Sequence, residues 1–384
     1  MESARATRAN VITTWADRVG CQIGYDNGCD NGCDNGDVNA SALIDELNDA
    51  AIAAGLVALG VAAVEPFEDT REALEARKSA GLHGGMAFTY RDPQRSTDPA
   101  RILDGARSLV VGAWPYAAGP VGEPQFEGPA GRVARYAVSD HYAALHSALE
   151  AVAQKLEAAG YRTRVVLDDN ALVDRAAAQR AGLGWFGHNA NLLVPGYGSW
   201  VVLGSIITDA VLAPSEVVPD GCGPCRRCLD GCPTGAIIAP GVVDARRCLA
   251  WLVQAEGSFP IDFREALGDR VYGCDDCQEV CPPARRSPQA SQSVDTDTAW
   301  VELLWMLNAT DEELITKLGR WYIPRRDPRY LRRNALLALG NSADPADTEV
   351  RSILRRFVSS EDEMLSEHAQ WALERLDVRA QVTS

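Results

Sequence analysis

The chain has 384 residues, with 37 Lys and Arg against 53 Asp and Glu, for a formal net charge of −16. That balance excludes nonspecific nucleic-acid binding by the chain as a whole and leaves any nucleic-acid partner to a local basic patch. A hydrophobic share of 46% without an apolar run long enough to span a bilayer describes a globular protein of two or three domains.

Residues 1–37 carry the repeat Asp26-Asn-Gly-Cys29-Asp-Asn-Gly-Cys33-Asp-Asn-Gly. Turn formers at this density cannot bury a core, so a disordered extension is expected, taking Cys21, Cys29 and Cys33 with it. A metal site at Cys29 and Cys33 is the alternative. The first residues contain no secretory apolar core, which fits a cytoplasmic protein.

From residue 38 to 214 helical and extended patterns alternate. Leu43, Ile44, Leu47, Ala51 and Leu56 recur at helical spacing, and Gly60–Val64 reads as a short strand. A helix over 70–80 precedes a buried strand over 107–115, cored by Leu109, Val110 and Val111. Helix 140–159, strand 163–167, helix 171–181 and strands at 192–194 and 200–207 complete an α/β layer, expected to be a mixed sheet.

The densest chemical signal lies within 215–290. Cys222-Gly-Pro-Cys225-Arg-Arg-Cys228-Leu-Asp-Gly-Cys232-Pro233 is a C-x2-C-x2-C-x3-C-P run of the kind that holds iron–sulfur clusters, in which the fourth Cys serves the other cluster. Cys274-Asp-Asp-Cys277-Gln-Glu-Val-Cys281-Pro282 is the second run, and Cys248 lies between. Eight Cys supply two [4Fe-4S] clusters. The cross-over assigns Cys222, Cys225, Cys228 and Cys281 to one, and Cys232, Cys248, Cys274 and Cys277 to the other. Two zinc sites are the competing reading, though three Cys at two-residue gaps followed by Cys-Pro are foreign to zinc modules and no His falls in the stretch. A disulfide framework fits less well still. Helices are expected around 234–237 and 244–254.

Residues 286–298 read as a polar linker, and everything from 299 to 380 as helical, in pairs that suggest a small HEAT-like cap. Within it, Lys317 to Arg333 is the one dense basic stretch with interleaved aromatics (Trp321, Tyr322, Tyr330). It is read as a nucleic-acid contact, against the alternative that its aromatics turn into the helical core.

Taken together these residues resemble the epoxyqueuosine reductases of tRNA modification, which depend on cobalamin and iron–sulfur clusters. The resemblance runs from about residue 55 to 378. It is densest at Arg107–Val111, Asp168–Arg175, Ala181–Gly187, Cys222–Cys248, Tyr272–Pro282 and Leu331–Asn341. It implies an α/β corrinoid-binding domain like that of reductive dehalogenases, a ferredoxin-like two-cluster module and an all-α HEAT-like cap. It further implies reduction of epoxyqueuosine to queuosine at the tRNA wobble position, with cobalamin, two [4Fe-4S] clusters and an external electron donor. A monomer is expected.

Residue by residue, the resemblance makes Asp168 the proton donor, where the pattern alone suggests a helix N-cap. It places Arg175 on tRNA, to which the basic stretch would add Arg325, Arg326, Arg332 and Arg333. For cobalamin it points to Arg95, Asp168, Leu192, Leu193, Val194, Asp275 and Asp276. Three features depart from the family: His188 stands where Lys is usual, Asp140-His141-Tyr142 replaces Asp-Tyr-His, and residues 252–258 differ from the usual Leu-Thr-Ile-Glu. No Cys occurs between 34 and 221, so the corrinoid domain has no thiolate for cobalt. A corrinoid reductase acting on a small molecule, and a cluster-bearing electron carrier without corrinoid, are the competing functions.

Overall fold

Three apolar stretches without polar alternation become strands covered on both faces. The structure, a computed structural model, describes residues 35–383. The expected extension at 1–37 therefore lies outside the described residues apart from its last three, which are helical. Helix α1 (Asn35–Ala54) leads into β1 (Ala58–Ala63), α2 (Glu68–Ser79) and β2 (Ser108–Pro115). Then come β3 (Ala130–Val133), α3 (His141–Ala158), β4 (Thr163–Val166), α4 (Asp174–Arg180), β5 (Trp185–Phe186), β6 (Leu192–Leu193) and β7 (Val201–Thr208).

The main sheet has the order β1-β2-β7-β4. Every pairing in it is antiparallel, so the expected mixed sheet is corrected. Long connections let each strand enter from either end, and alternation of helices and strands does not record direction. On β2, Val110 packs with Leu145, Leu149 and Val152 of α3 and with Leu47 of α1. Leu109 and Val111 pack on the other face with Ala176, Ala177 and Ala178 of α4. All three β2 side chains are fully buried, each contributing about 1.5–3 kcal/mol.

The cluster segment holds the hairpin β8 (Ile237–Ala239) and β9 (Val242–Val243), then β10 (Arg270–Tyr272). The helix expected at 234–237 is instead a turn leading into β8, because Gly235 takes a left-handed φ of 58°. The single helix expected at 244–254 breaks at Cys248, whose extended backbone (φ −77°, ψ 116°) separates a 3-10 turn at Ala245–Arg247 from a one-turn helix at Leu249–Leu252.

The stretch expected as a linker is packed instead. Ser287, Gln289 and Val294 are buried, and the carbonyls of Gln289 and Gln292 accept the N–H groups of Ala118 and Gly119 at 2.9 Å each. Nor is everything beyond it helical. Strand β11 (Trp300–Glu302) pairs antiparallel with β3, which β10 joins in parallel from its other side. One small sheet, β10-β3-β11, thus joins a strand of the α/β layer, one of the cluster segment and one of the C-terminal segment. Helices α5 (Leu303–Asn308), α6 (Asp311–Leu318), α7 (Arg329–Ser342), α8 (Thr348–Val358) and α9 (Glu363–Thr383) close the fold around a shared core.

Gly273, between β10 and the second cysteine run, has φ 73°, and a Cβ there would lie 2.4 Å from Ala134 Cβ beside β3. Gly241 has a similar φ of 71° with open space around it. Gly273→Ala is expected to cost about 2–4 kcal/mol in urea unfolding, and Gly241→Ala only about 1 kcal/mol. Equal losses would show that backbone conformation, not this close approach, sets the requirement for glycine.

Candidate active site

All eight cysteines of 222–281 are free thiols. Their electrostatic neighbours divide them into two sets. Burial first, then Cys281, Cys222 and Cys225, push the Cys228 thiol up to about 11. Cys277 is raised well above its ordinary value by burial, then by Cys274, Cys248 and Cys232. The members of each set lie near one another, and each set draws on both sides of the sequence gap. Among the described residues no three His, Cys, Asp or Glu side chains gather as they would around a single metal ion. Two sets of four thiols are the donor chemistry of two iron–sulfur clusters. Thiols held this high must lose their protons when metal binds, so loading of the site releases protons.

Backbone hydrogen bonds shape the sulfur environment: the Ala236 N–H points at Cys232 Sγ at 3.2 Å. The loops themselves are tied to the α/β layer. Arg135 Nη1 reaches Asp275 Oδ2 at 3.2 Å and Glu279 Oε1 at 2.5 Å, its backbone N–H donates to Asp275 at 2.9 Å, and its guanidinium lies 5.6 Å from the Trp200 ring. Burial alone would lower the Arg135 pKa, but Asp275 and Glu279 hold it above the ordinary value. Trp200 Nε1 donates to the Ala284 carbonyl at 3.0 Å, just past Cys281. Arg270 grips both oxygens of Asp276, at 2.6 and 2.8 Å.

The loop after β5 touches both runs. His188 Nδ1 bonds the Cys225 carbonyl at 2.8 Å, which makes that ring nitrogen the donor, and Asn189 Nδ2 donates to the Cys277 carbonyl at 3.4 Å. The His188 departure thus serves a purpose in this chain, as a short-range brace for the first cysteine loop.

Asp168 sits just beyond β4 with a left-handed φ of 49°, a conformation in which Asp and Asn are enriched among non-glycine residues. The side chain is open to solvent, yet its surroundings are dense. Burial, then the Asp169 charge, raise its carboxyl above the usual range. Tyr142 faces both Asp168 and Asp174 and is raised by burial first, then by those two charges. Tyr272, two residues before Cys274, also feels Asp168 and is pushed to about 12, chiefly by burial. Tyr272 stacks on Trp321 at 4.5 Å and its hydroxyl accepts the Tyr322 N–H at 2.8 Å. An acid at a strand end, the loop of the second cysteine set and the C-terminal segment therefore meet in one place.

The remaining residues expected at the site are placed as follows. Arg95 is exposed and lines a cavity of about 330 Å³ with Arg101, Arg164 and Asp169, beside Asp168. Leu192, Leu193 and Val194 are 1–3% exposed and belong to the core, so their side chains face no cleft and only their backbone is left to meet a cofactor. Asp275 and Asp276 are engaged by Arg135 and Arg270 and brace the cluster loop. Arg175 is exposed and donates to the Ala190 carbonyl at 2.6 Å.

The basic stretch is corrected at Arg332 and Arg333 and at two of its aromatics. Arg333 is fully buried and donates to the carbonyls of Leu252, Val253, Ala255 and Gly257, so it cannot meet tRNA. Arg332 is mostly buried and paired with Asp311 at 2.6 Å. Trp321 and Tyr330 turn into the interior, leaving Lys317, Arg320, Tyr322, Arg325, Arg326 and Arg329 at the surface. Arg325 there pairs with Glu256. A high count of Arg in sequence does not separate those that solvate from those that cap buried carbonyls.

Arg135, Asn189, Asp174 and Tyr272 were not singled out by sequence. Only Tyr142 carried a signal, through the inverted Asp140-His141-Tyr142 order, which turns Tyr142 toward the acids while His141 stacks on Tyr116 at 5.1 Å.

An α/β frame that holds two crossed sets of thiols against a raised carboxyl defines an iron–sulfur oxidoreductase. Residues 221–284 match the 4Fe-4S double cluster binding domain family. The epoxyqueuosine reductase of Vibrio cholerae is 32% identical over 86% of this chain and 91% of its own length. That of Xanthomonas campestris is 33% identical over 83% and 92%. An epoxyqueuosine reductase solved with an epoxyqueuosine-modified tRNA-Tyr stem loop superposes with a TM-score of 0.79 at 30% identity, covering 88% of this chain and 91% of its own. The Bacillus subtilis enzyme, solved with its catalytic Asp loop swung out of the active site, gives 0.77 at 29% identity over 88% and 91%. The chain belongs to the epoxyqueuosine reductase family.

Pairs of substitutions test the crossed sets. Cys228→Ala with Cys281→Ala should leave about four of about eight irons per chain, because both residues serve one cluster. Cys277→Ala with Cys281→Ala, although both come from the same run, should leave almost none. The reverse pattern in iron analysis would show that each run holds its own cluster.

Proposed function

We propose that the chain reduces epoxyqueuosine to queuosine at the wobble position of tRNA and that Asp168 is its proton donor. The observation that carries this reading is the raised Asp168 carboxyl at the end of β4, facing the loop that leads to Cys274. A carboxyl that keeps its proton above the usual range can hand it to a departing oxygen.

Cys222, Cys225, Cys228 and Cys281 hold one [4Fe-4S] cluster, and Cys232, Cys248, Cys274 and Cys277 the other. Cobalamin, when bound, supplies a low-valent cobalt able to act on the strained ring, with electrons delivered singly by the clusters. Arg95, Asp168 and the backbone of 192–194 would hold it; the polar cavity beside Arg95 suits amide and phosphate groups at a corrinoid's edge. Arg175, Arg325 and Arg326 contact tRNA phosphates. The corrinoid part spans 38–214, the cluster part 215–290 and a HEAT-like helical part 299–380. An external donor supplies electrons to a monomeric, cytoplasmic enzyme; no described helix is long and apolar enough to cross a membrane.

The test is anaerobic reconstitution with iron, sulfide and cobalamin, followed by nucleoside mass spectrometry of epoxyqueuosine-containing tRNA. Queuosine is expected only with reductant and cobalamin present. Asp168→Asn should lower kcat about 10²–10⁴-fold with iron content and tRNA binding unchanged. Full turnover in that variant would remove Asp168 from the chemistry.

A further inference from the structure

Removing an epoxide oxygen as water breaks two C–O bonds, forms a C=C bond, and consumes two electrons and two protons. The donor and the clusters account for the electrons. Asp168 accounts for one proton, since a carboxyl holds no more. The second proton needs a donor of its own.

Asp174, on the first turn of α4, lies directly behind Asp168. Its carboxylate faces the backbone N–H of Asp168, the residue held at positive φ, while Oδ1 is buried without a hydrogen-bond partner. An ionised carboxylate with a bare, desolvated oxygen is costly, whereas a protonated one is tolerated there. Asp168, Tyr142, Arg175 and Asp169 are the titratable and charged groups that face it.

We propose that Asp174 is the second proton store of the reaction: it holds a proton while Asp168 is ionised and passes it to Asp168 after the first transfer. This rests on the reading of Asp168 as the acid. Burial, then the Asp168 charge, raise the Asp174 carboxyl well above the usual range, further support for a group that stays neutral when its neighbour ionises. The competing role is structural, an acid at a helix N-terminus that orders the Asp168 loop. Asn keeps that hydrogen-bond acceptor without the proton, so it separates the two roles.

The experiment uses the reconstituted full chain with epoxyqueuosine-containing tRNA, comparing wild type, Asp174→Asn and Asp174→Glu. Asp174→Asn is expected to lower kcat about 10–100-fold, with KM for tRNA within about twofold and iron content unchanged, and to abolish the alkaline fall in kcat that the wild type shows as Asp174 ionises. Asp174→Glu should recover most of the rate and restore that limb. Independently of turnover, the infrared difference spectrum at neutral pH should show a protonated-carboxyl band lost in Asp174→Asn and retained in Asp168→Asn. A kcat within twofold of wild type, a lowered kcat with unchanged pH profile, or absence of the band would overturn the proposal while leaving the reductase reading intact. A wild-type protein that forms no queuosine would sink both.

Discussion

Eight thiols, from two runs some forty residues apart and from Cys248 between them, have to meet in crossed sets, and the rest of this structure answers to that constraint. Cys281 must cross to the first run and Cys232 to the second, so neither loop can be placed without the other. The chain meets the demand with bonds from outside the cysteine segment. Arg135 holds Asp275 and Glu279, Trp200 holds Ala284, and His188 and Asn189 each bond a cysteine carbonyl. Removing Arg135 would leave Asp275 as a buried carboxylate without its cation, the expensive way to break such a pair.

The same ties place the chemistry. Asp168 follows β4, Tyr272 belongs to the strand entering the second run and Tyr322 to the segment before α7, yet the three lie near one another. Because β10, β3 and β11 form one sheet, the α/β layer, cluster loops and C-terminal helices are built as a unit. The buried Arg333 reinforces it, closing four carbonyls of the 252–257 loop from within α7. An acid that must act beside an electron-delivering cluster needs this rigidity, since small displacements are costly in rate.

Charge acts here at short range. Burial comes first in raising both Asp168 and Asp174, followed by the Asp169 charge on the former and the Asp168 charge on the latter. In the basic stretch, Arg325, Arg329 and Arg332 each have a carboxylate partner, so the apparent patch is thinner than its composition suggests.

The cysteine spacing by itself marked the double-cluster segment and the two crossed groups of thiols that the fold brings together, because thiolate ligation is a local geometric demand written in residue gaps. Apolar runs located β1, β2 and β7 to within two or three residues, since burial on both faces requires unbroken hydrophobicity. Only the tertiary structure decided the antiparallel direction of the sheet, the burial of Arg333 and the packing of 286–298, which hang on partners distant in sequence. It also decided the surroundings of Asp174. Next to Arg175 in sequence Asp174 is an unremarked acid at a helix start; in the fold it faces Asp168 and Tyr142 with an oxygen that has nothing to bond. Whether a carboxyl keeps its proton depends on what is packed around it, and a linear pattern carries no record of that packing.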